Sequence, residues 1–161
     1  MSNLLYDSLF GCHAGDVKPF LIFSDGRSLS YDAFLRMAAR FANTFNAAGL
    51  TVGDRLAIQV EKSAEALAVY AACMQSGIIF LPLNTAYTPA EVEYFISDSG
   101  ARMLMANDAD SLQPLASTHQ VILHNMAADG SGSFTDLAAS ASDAYAPAAR
   151  GGGDLAARSE E

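Results

Sequence analysis

The sequence predicts an α/β fold: an N-terminal hairpin and helix, then repeated βαβ units that form a mostly parallel sheet with helices on both faces. Two observations carry this prediction. Short apolar runs alternate with stretches of helical periodicity from residue 54 onwards, and glycine or proline punctuates the boundaries. A repeated strand–helix order requires crossover connections, so the strands are expected to be parallel. The 161 residues suffice for one domain of ordinary size.

Two apolar stretches near the start predict a β-hairpin. Residues 20–23 and 29–31 flank Asp25-Gly26, and glycine accepts the positive φ that tight turns require. A helix is predicted directly afterwards, because apolar side chains recur at helical spacing from Tyr31 to Phe45.

A second pattern, in which predicted strands and helices alternate, begins after residue 54. Strands are predicted at 56–60, 78–83, 103–105 and 121–123, and helices at 63–75, 88–100 and 111–116. The run 78–83 is continuously apolar, as expected of a strand that is covered on both faces. Thr88-Pro-Ala-Glu91 is a capping box with proline at the first helical position.

The composition changes towards the end of the chain. Of the 36 residues from 126 to 161, 21 are Ala, Gly or Ser. One weak helix is predicted at 134–141. We therefore assign residues 1–142 to the folded domain and predict that 143–161 form a flexible Ala/Gly-rich tail, because too few large apolar side chains are present to bury.

Charge and cysteine content exclude several classes of protein. Nine basic and 18 acidic residues give a net charge of −9, so no basic patch is expected for nucleic acid or an anionic membrane. Cys12 and Cys73 stand far apart and are interpreted as two reduced thiols. No basic n-region opens the chain and no apolar run reaches about 18 residues, so the cytoplasm is the expected location.

A search for catalytic motifs finds none. There is no Gly-x-x-x-x-Gly-Lys phosphate loop and no Gly-x-Ser-x-Gly elbow. Gly130-Ser-Gly132 lacks the third glycine of a dinucleotide fingerprint, and the glycines at 151–153 are interpreted as linker. The histidines lack the spacing of metal ligands, so no metal site is predicted; they are His13, His119 and His124.

Polar residues do occupy one suggestive position, the carboxyl ends of the predicted strands. Ligands of parallel sheets approach there. The residues are Glu61, Lys62, Ser63, Asn84, Thr85, Asn107, Asp108, His124 and Asn125. They could line a cleft, but solvated loops and helix-start charges explain them without a ligand, and we favour that interpretation.

Three spaced segments resemble the acyl-adenylate-forming enzymes, which include acyl-CoA synthetases, luciferases and adenylation domains of peptide synthetases. They are Glu61-Lys-Ser-Ala-Glu-Ala-Leu67, Gly77-Ile-Ile-Phe-Leu-Pro-Leu-Asn-Thr-Ala-Tyr-Thr88 and Glu91-Val-Glu-Tyr-Phe-Ile-Ser-Asp98. Within that family, Glu61-Lys-Ser63 together with the segment from Pro82 to Thr88 is similar to malonyl-CoA synthetases, some of which also take methylmalonate. The resemblance covers nearly all of residues 4–156.

The resemblance implies the first part of the large N-terminal, AMP-binding domain. The family joins a carboxylate to coenzyme A through an acyl-adenylate, using ATP and Mg²⁺. Its phosphate loop, acid pocket and catalytic lysine lie later in the family's chains. This sequence departs from the family at Arg158-Ser-Glu-Glu161, where the family continues into an apolar strand and the phosphate loop. We therefore assign no catalytic, cofactor-binding or metal-binding residue, and expect an inactive fragment, truncated or frameshifted before the phosphate loop.

Two alternatives stay open at this point. The chain could be a non-catalytic module that binds a nucleotide, coenzyme A or another protein, or it could be one half of a split synthetase. The expected partner is the missing remainder of the enzyme. Without it, an exposed apolar face is expected to cause self-association.

Overall fold

A parallel sheet between two layers of helices forms the centre of the computed structural model, which describes residues 2–159. In chain order the elements are α1 (Leu4–Leu9), β1 (Pro19–Ile22), β2 (Ser28–Ser30), α2 (Tyr31–Ala47), β3 (Arg55–Gln59), α3 (Ala64–Ser76), β4 (Ile79–Pro82), α4 (Pro89–Ser99), β5 (Met103–Ala106), α5 (Ala109–His119), β6 (Ile122–Asn125) and α6 (Ser133–Ala138). The predicted fold class is confirmed.

The sheet has four strands in the order β4-β3-β5-β6, and every neighbouring pair is parallel. Leu56 lies opposite Phe80 on one side and Met103 on the other. The β1–β2 hairpin is antiparallel and forms a separate two-stranded sheet. Gly26 supplies its turn with a φ of 86°, as the Asp25-Gly26 pair predicts.

Alternation along the central strands separates two apolar cores. Leu56 and Ile58 of β3 pack into the core formed with α1, α2, α3 and α6. Ala57, between them in sequence, packs into the core formed with α4 and α5. Because successive side chains of a strand point to opposite faces, one strand serves both cores. Helices therefore cover both faces of the sheet.

Helix starts are fixed by side-chain caps. A polar side chain accepts a hydrogen bond from a backbone amide of the first turn in five helices, through Asn3, Ser30, Ser63, Thr88 and Asp108. The predicted capping box is present: the Thr88 amide donates to Glu91 Oε2 at 2.8 Å. Such caps satisfy amides that the helix itself leaves unpaired.

Helix α5 is longer than the sequence predicts. It spans Ala109–His119, with Pro114 inside, instead of 111–116. Proline removes one helical hydrogen bond, but Leu112 and Leu115 are buried against the sheet and hold the helix across it. Helix α1 is absent from the sequence prediction. Asn3 caps it, and Tyr6, one of its own residues, is buried.

The segment predicted as a tail has a defined course in the structure. Tyr145 and Ala156 pack against the larger core. The Ala148 amide donates to the Gln75 carbonyl at 2.8 Å, and the Phe80 amide donates to the Ala156 carbonyl at 3.0 Å. Small side chains let this backbone lie close to the core, so it docks through hydrogen bonds rather than through large apolar groups. The division into 1–142 and a flexible 143–161 stays a prediction.

Within residues 2–159, no helix is long and apolar enough to cross a membrane.

Phe134 offers a direct test of the larger core. It is fully buried, and its ring lies 5.1 Å from that of Phe41 and 5.5 Å from that of Phe45. We expect Phe134→Ala to lower the free energy of unfolding by about 3 kcal/mol, because burial is lost and a cavity remains. Leu137→Ala on the same helix, at a half-exposed position, should change it by less than about 0.5 kcal/mol. Urea unfolding followed by circular dichroism measures both, and equal effects would contradict this packing.

Candidate functional site

The carboxyl ends of β3 and β5 form the topological switch point of the sheet. The chain leaves β3 towards α3 on one face and leaves β5 towards α5 on the other. Ligands of open parallel sheets bind in the crevice that such a divergence creates. The polar residues predicted at strand ends do converge on this edge, which is therefore the candidate site.

Asn107 bridges this crevice. Its backbone amide donates to the Gln59 carbonyl at 3.1 Å, which extends the β3–β5 ladder. Its side-chain Oδ1 accepts a hydrogen bond from the Glu61 amide at 3.2 Å. One side chain thereby joins the two loops that diverge at the switch point. The Oδ1 of Asn107 is already used in this hydrogen bond within the protein.

Two further amide side chains tie the remaining strand ends. Asn125 Nδ2 donates to the Asn107 carbonyl at 2.8 Å, which joins β6 to β5. Gln59 Nε2 donates to the carbonyls of Asn84 and Tyr87 at 3.0 and 2.9 Å, which joins β3 to the loop after β4. Gln59 is buried. These polar groups stabilise the loops, since a buried donor without a partner would be costly.

The charged and hydroxyl residues of this edge either cap the start of a helix or are exposed to solvent. Ser63 caps α3 by accepting from the Ala66 amide at 3.0 Å, and Asp108 caps α5. Glu61 and Lys62 are exposed and form no ion pair with any described residue. Thr85 is exposed as well. This arrangement agrees with the interpretation that needs no ligand.

His124 lies at the same edge but faces the core side. Its Nδ1 is 3.3 Å from Ser133 Oγ, and its ring meets the Phe134 ring edge to face at 5.5 Å. Partial burial lowers the pKa of His124 below its ordinary value, because the charged imidazolium is poorly solvated there. The three histidines lie in different places: His13 stacks on Tyr31 and His119 pairs with Glu93.

The Gly130-Ser-Gly132 loop is explained by packing. A Cβ at position 132 would lie 2.3 Å from the Asn125 carbonyl oxygen, so only glycine fits. A Cβ at position 130 would lie 2.2 Å from the Glu65 carboxylate. A carboxylate against this loop would repel a phosphate, so the loop is unsuited to a nucleotide. Within residues 2–159, no cluster of three His, Cys, Asp or Glu could hold a metal ion.

An apolar groove lies on another surface, between α1 and the residues around 151–156. It encloses about 360 Å³ and includes Leu4, Leu5, Leu9, Ile78 and Leu155 in its lining. The four leucines each keep between 39% and 53% of their surface exposed. Exposed leucines around a concavity are typical of a surface that another polypeptide covers.

Comparison with known proteins gives the family. The model of the AMP-binding enzymes matches residues 13–157, which is most of the chain. This chain belongs to the AMP-binding enzyme family. Among curated relatives, a fatty acid–[acyl-carrier-protein] ligase, ScoC, from Streptomyces coeruleorubidus is 34% identical over 87 residues, or 54% of this chain and 17% of that protein. A feruloyl-CoA synthase from an Amycolatopsis species is 38% identical over 80 residues, 50% of this chain and 16% of the synthase.

The structural comparison covers nearly the whole chain. Apo MatB from Rhodopseudomonas palustris superposes with a TM-score of 0.91 at 40% identity, over 98% of this chain and 32% of MatB. MatB has also been solved with ATP bound. The chain thus spans about a third of the length of MatB and less than a fifth of the two curated relatives.

The acyl-CoA ligases of this family use ATP, Mg²⁺ and coenzyme A, but the described residues of this chain do not fit a triphosphate. At the carboxyl edge, Asn107, Asn125 and Gln59 are engaged with backbone groups, and Lys62 is the one cation among the strand-end residues named above. Triphosphate sites instead present several free backbone amides and cations. The assignment of no site residue to this chain stays a prediction.

Sequence reasoning missed Gln59 and underrated Asn107. Gln59 is a polar residue at the end of an otherwise apolar strand, which is a sign that its side chain finds a specific partner. Asn107 directly follows the apolar strand β5, and Asn125 is the last residue of β6. An amide can donate and accept across neighbouring strand ends. Neither pattern reveals which carbonyl is bound, because that depends on the strand order.

His124 gives this edge a measurable pH dependence. The unfolded chain takes up a proton on this imidazole near pH 6.5, whereas the folded chain does so only at lower pH. The stabilisation is therefore complete above pH 6.5 and is lost as the pH falls through that value towards the folded pKa. We expect the free energy of unfolding to fall more steeply between pH 7.5 and 5 for the natural chain than for His124→Gln. An equal pH dependence of the free energy of unfolding in the two proteins would contradict the partial burial of His124.

Proposed function

We propose that this chain is the first part of an ATP-dependent acid–CoA ligase that works through an acyl-adenylate, with malonate or methylmalonate as the acid. The observation that carries the proposal is the match to MatB, 40% identical over 98% of the chain. The two curated relatives cited above are a fatty acid–[acyl-carrier-protein] ligase and a feruloyl-CoA synthase, and these names support the reaction class.

The proposed reaction has two steps. The substrate carboxylate attacks the α-phosphorus of ATP and displaces pyrophosphate, which gives an acyl-adenylate. The thiol of coenzyme A then attacks the acyl carbon, loses its proton and displaces AMP. The described residues contribute a scaffold to this chemistry: two-sided burial fixes the sheet, and amide side chains set the loops at its carboxyl edge.

We further propose that the isolated chain does not catalyse this reaction. The strand-end amides are occupied within the protein, and the described residues provide neither a metal cluster nor a set of free cations for phosphates. Charge stabilisation of the phosphates is usually the largest contribution to such catalysis. The remaining two thirds of a MatB-like enzyme would have to supply it.

The proposed partner is that remainder, and the groove lined by Leu4, Leu5, Leu9 and Leu155 is the surface we expect it to cover. Self-association of the isolated chain through exposed apolar surface stays a prediction. Cys12 and Cys73 are both free, which agrees with the expectation of a cytoplasmic enzyme.

A chimera tests the proposal. Residues 2–157 of this chain would replace the corresponding third of Rhodopseudomonas palustris MatB, and AMP and thioester formation would be measured with ATP, Mg²⁺, coenzyme A and malonate. We expect turnover by the chimera and none above background by the isolated chain. The MatB remainder without this third is the matched control and should be inactive.

Either of two results would contradict part of the proposal. Turnover by the isolated chain would refute its inactivity, and a folded chimera that releases no AMP would refute the ligase assignment. The acid is tested on a full-length protein that contains this chain at its N-terminus. Thioester formation with aromatic or long-chain acids alone, and none with malonate or methylmalonate, would overturn the substrate.

A further inference from the structure

Residues 145–158, here called the strap, pass the C-terminal end of α3 and end against the outer edge of β4. The Phe80 amide donates to the Ala156 carbonyl at 3.0 Å, and the Arg158 amide donates to the Phe80 carbonyl at 2.9 Å. These two bonds form a short parallel bridge. The next residue of β4 whose backbone nitrogen faces this edge is Pro82, which has no amide hydrogen to donate. The edge of β4 therefore holds the strap only weakly.

The rest of the strap is held by the N-terminus. Asn3 is 2% exposed, and its Nδ2 donates to the Ala148 carbonyl at 2.9 Å and to the Met74 carbonyl at 2.8 Å. One amide group thus joins the N-terminus, the strap and the end of α3. The Leu4 amide donates to the Arg150 carbonyl at 3.3 Å, and the Arg150 amide donates to the Ser2 carbonyl at 3.1 Å.

The strap then turns towards β4 in a fixed way. The Gly151 amide donates to Asp154 Oδ2 at 2.7 Å, and Arg150 donates to the Leu155 carbonyl at 3.3 Å. Gly77 leaves room for the strap, because a Cβ there would lie 3.2 Å from the Arg150 side chain. The course from Ala148 to Ala156 is thus set by contacts that begin at Asn3.

We propose that Asn3 is a positioning residue: it latches the strap to α3, and the latched strap places residues 156–158 on the edge of β4. The hydrogen bonds between the strap and the N-terminus and those between the strap and β4 then break and form together. If the proposed ligase function holds, the N-terminal helix also sets where the chain beyond the strap leaves the sheet. The latch itself does not depend on that function.

The side chain of Asn3 has a second role that must be separated from the first. Its Oδ1 caps α1 by accepting from the Tyr6 amide at 3.1 Å. Serine and aspartate also cap helices well, but neither can donate to the carbonyls of Ala148 and Met74 across the same distance. Asn3→Ser and Asn3→Asp therefore remove the latch and keep the cap.

Native-state hydrogen exchange of the 161-residue chain tests the latch. In the unmodified chain, the amides of Arg150, Phe80 and Arg158 should share one opening free energy, lower than that of the β3 and β5 amides. In Asn3→Ser, exchange at these three amides should become about tenfold faster or more, because two hydrogen bonds are lost. Exchange in β3 and β5 should accelerate by no more than this factor, because an opening of the sheet also breaks the latch.

Matched controls and a second readout complete the test. Ser8→Ala removes a hydroxyl that donates to the Leu4 carbonyl at 2.7 Å, so it alters α1 and leaves the hydrogen bonds of Asn3 to the strap in place. It should leave exchange at Phe80 and Arg158 unchanged. Trypsin should cleave after Arg150 faster in Asn3→Ser and Asn3→Asp than in Ser8→Ala.

Unchanged exchange at Phe80 and Arg158 in folded Asn3→Ser would overturn the latch. If that variant fails to fold, the unmodified chain decides: independent opening of Arg150 and Arg158 would overturn the proposal, and a shared opening free energy would support it. None of these readouts requires ligase activity, so failure of the proposed function would not affect them.

Discussion

Two-sided burial of β3 and β5 is the constraint on which this structure depends. Leu56, Ala57, Met103 and Leu104 are fully buried, and neighbouring residues of each strand serve opposite cores. A parallel sheet can be covered on both faces only if its crossover helices lie on both sides. That requirement places α2 and α3 on one face and α4 and α5 on the other. It also makes the chain diverge where β3 and β5 end.

The divergence leaves loops that the protein must hold in place. Asn107, Asn125 and Gln59 do this with side-chain amides, each bound to the backbone of a neighbouring strand end or loop. The polar residues of this edge therefore serve the scaffold first. This explains how the edge where a ligand is expected can be rich in polar groups and still present few free ones. The ligase chemistry proposed for the parent enzyme consequently depends on residues beyond this scaffold.

Elements with a strong local pattern were predictable, and those fixed by distant contacts were not. The capping box at Thr88 and the apolar run before Pro82 each predict an element that the structure contains. Helix α5 extends beyond the predicted 111–116 in spite of Pro114, because burial of Leu112 and Leu115 outweighs the missing hydrogen bond. Helix α1 and the contacts of the strap have no local sequence signature, because Asn3 bonds to partners 71 and 145 residues away. No local pattern encodes such a contact.

Titration with Mg·ATP, followed residue by residue by NMR, tests most directly whether this scaffold lacks a triphosphate site of its own. We predict no saturable shift at the backbone amides of Glu61 and Asn107, which flank the bridged switch point. Small, linear drifts from non-specific contact with exposed cations are the expected background. A saturable shift centred on these amides would contradict the account, because it would show that the bridge opens to accept the nucleotide.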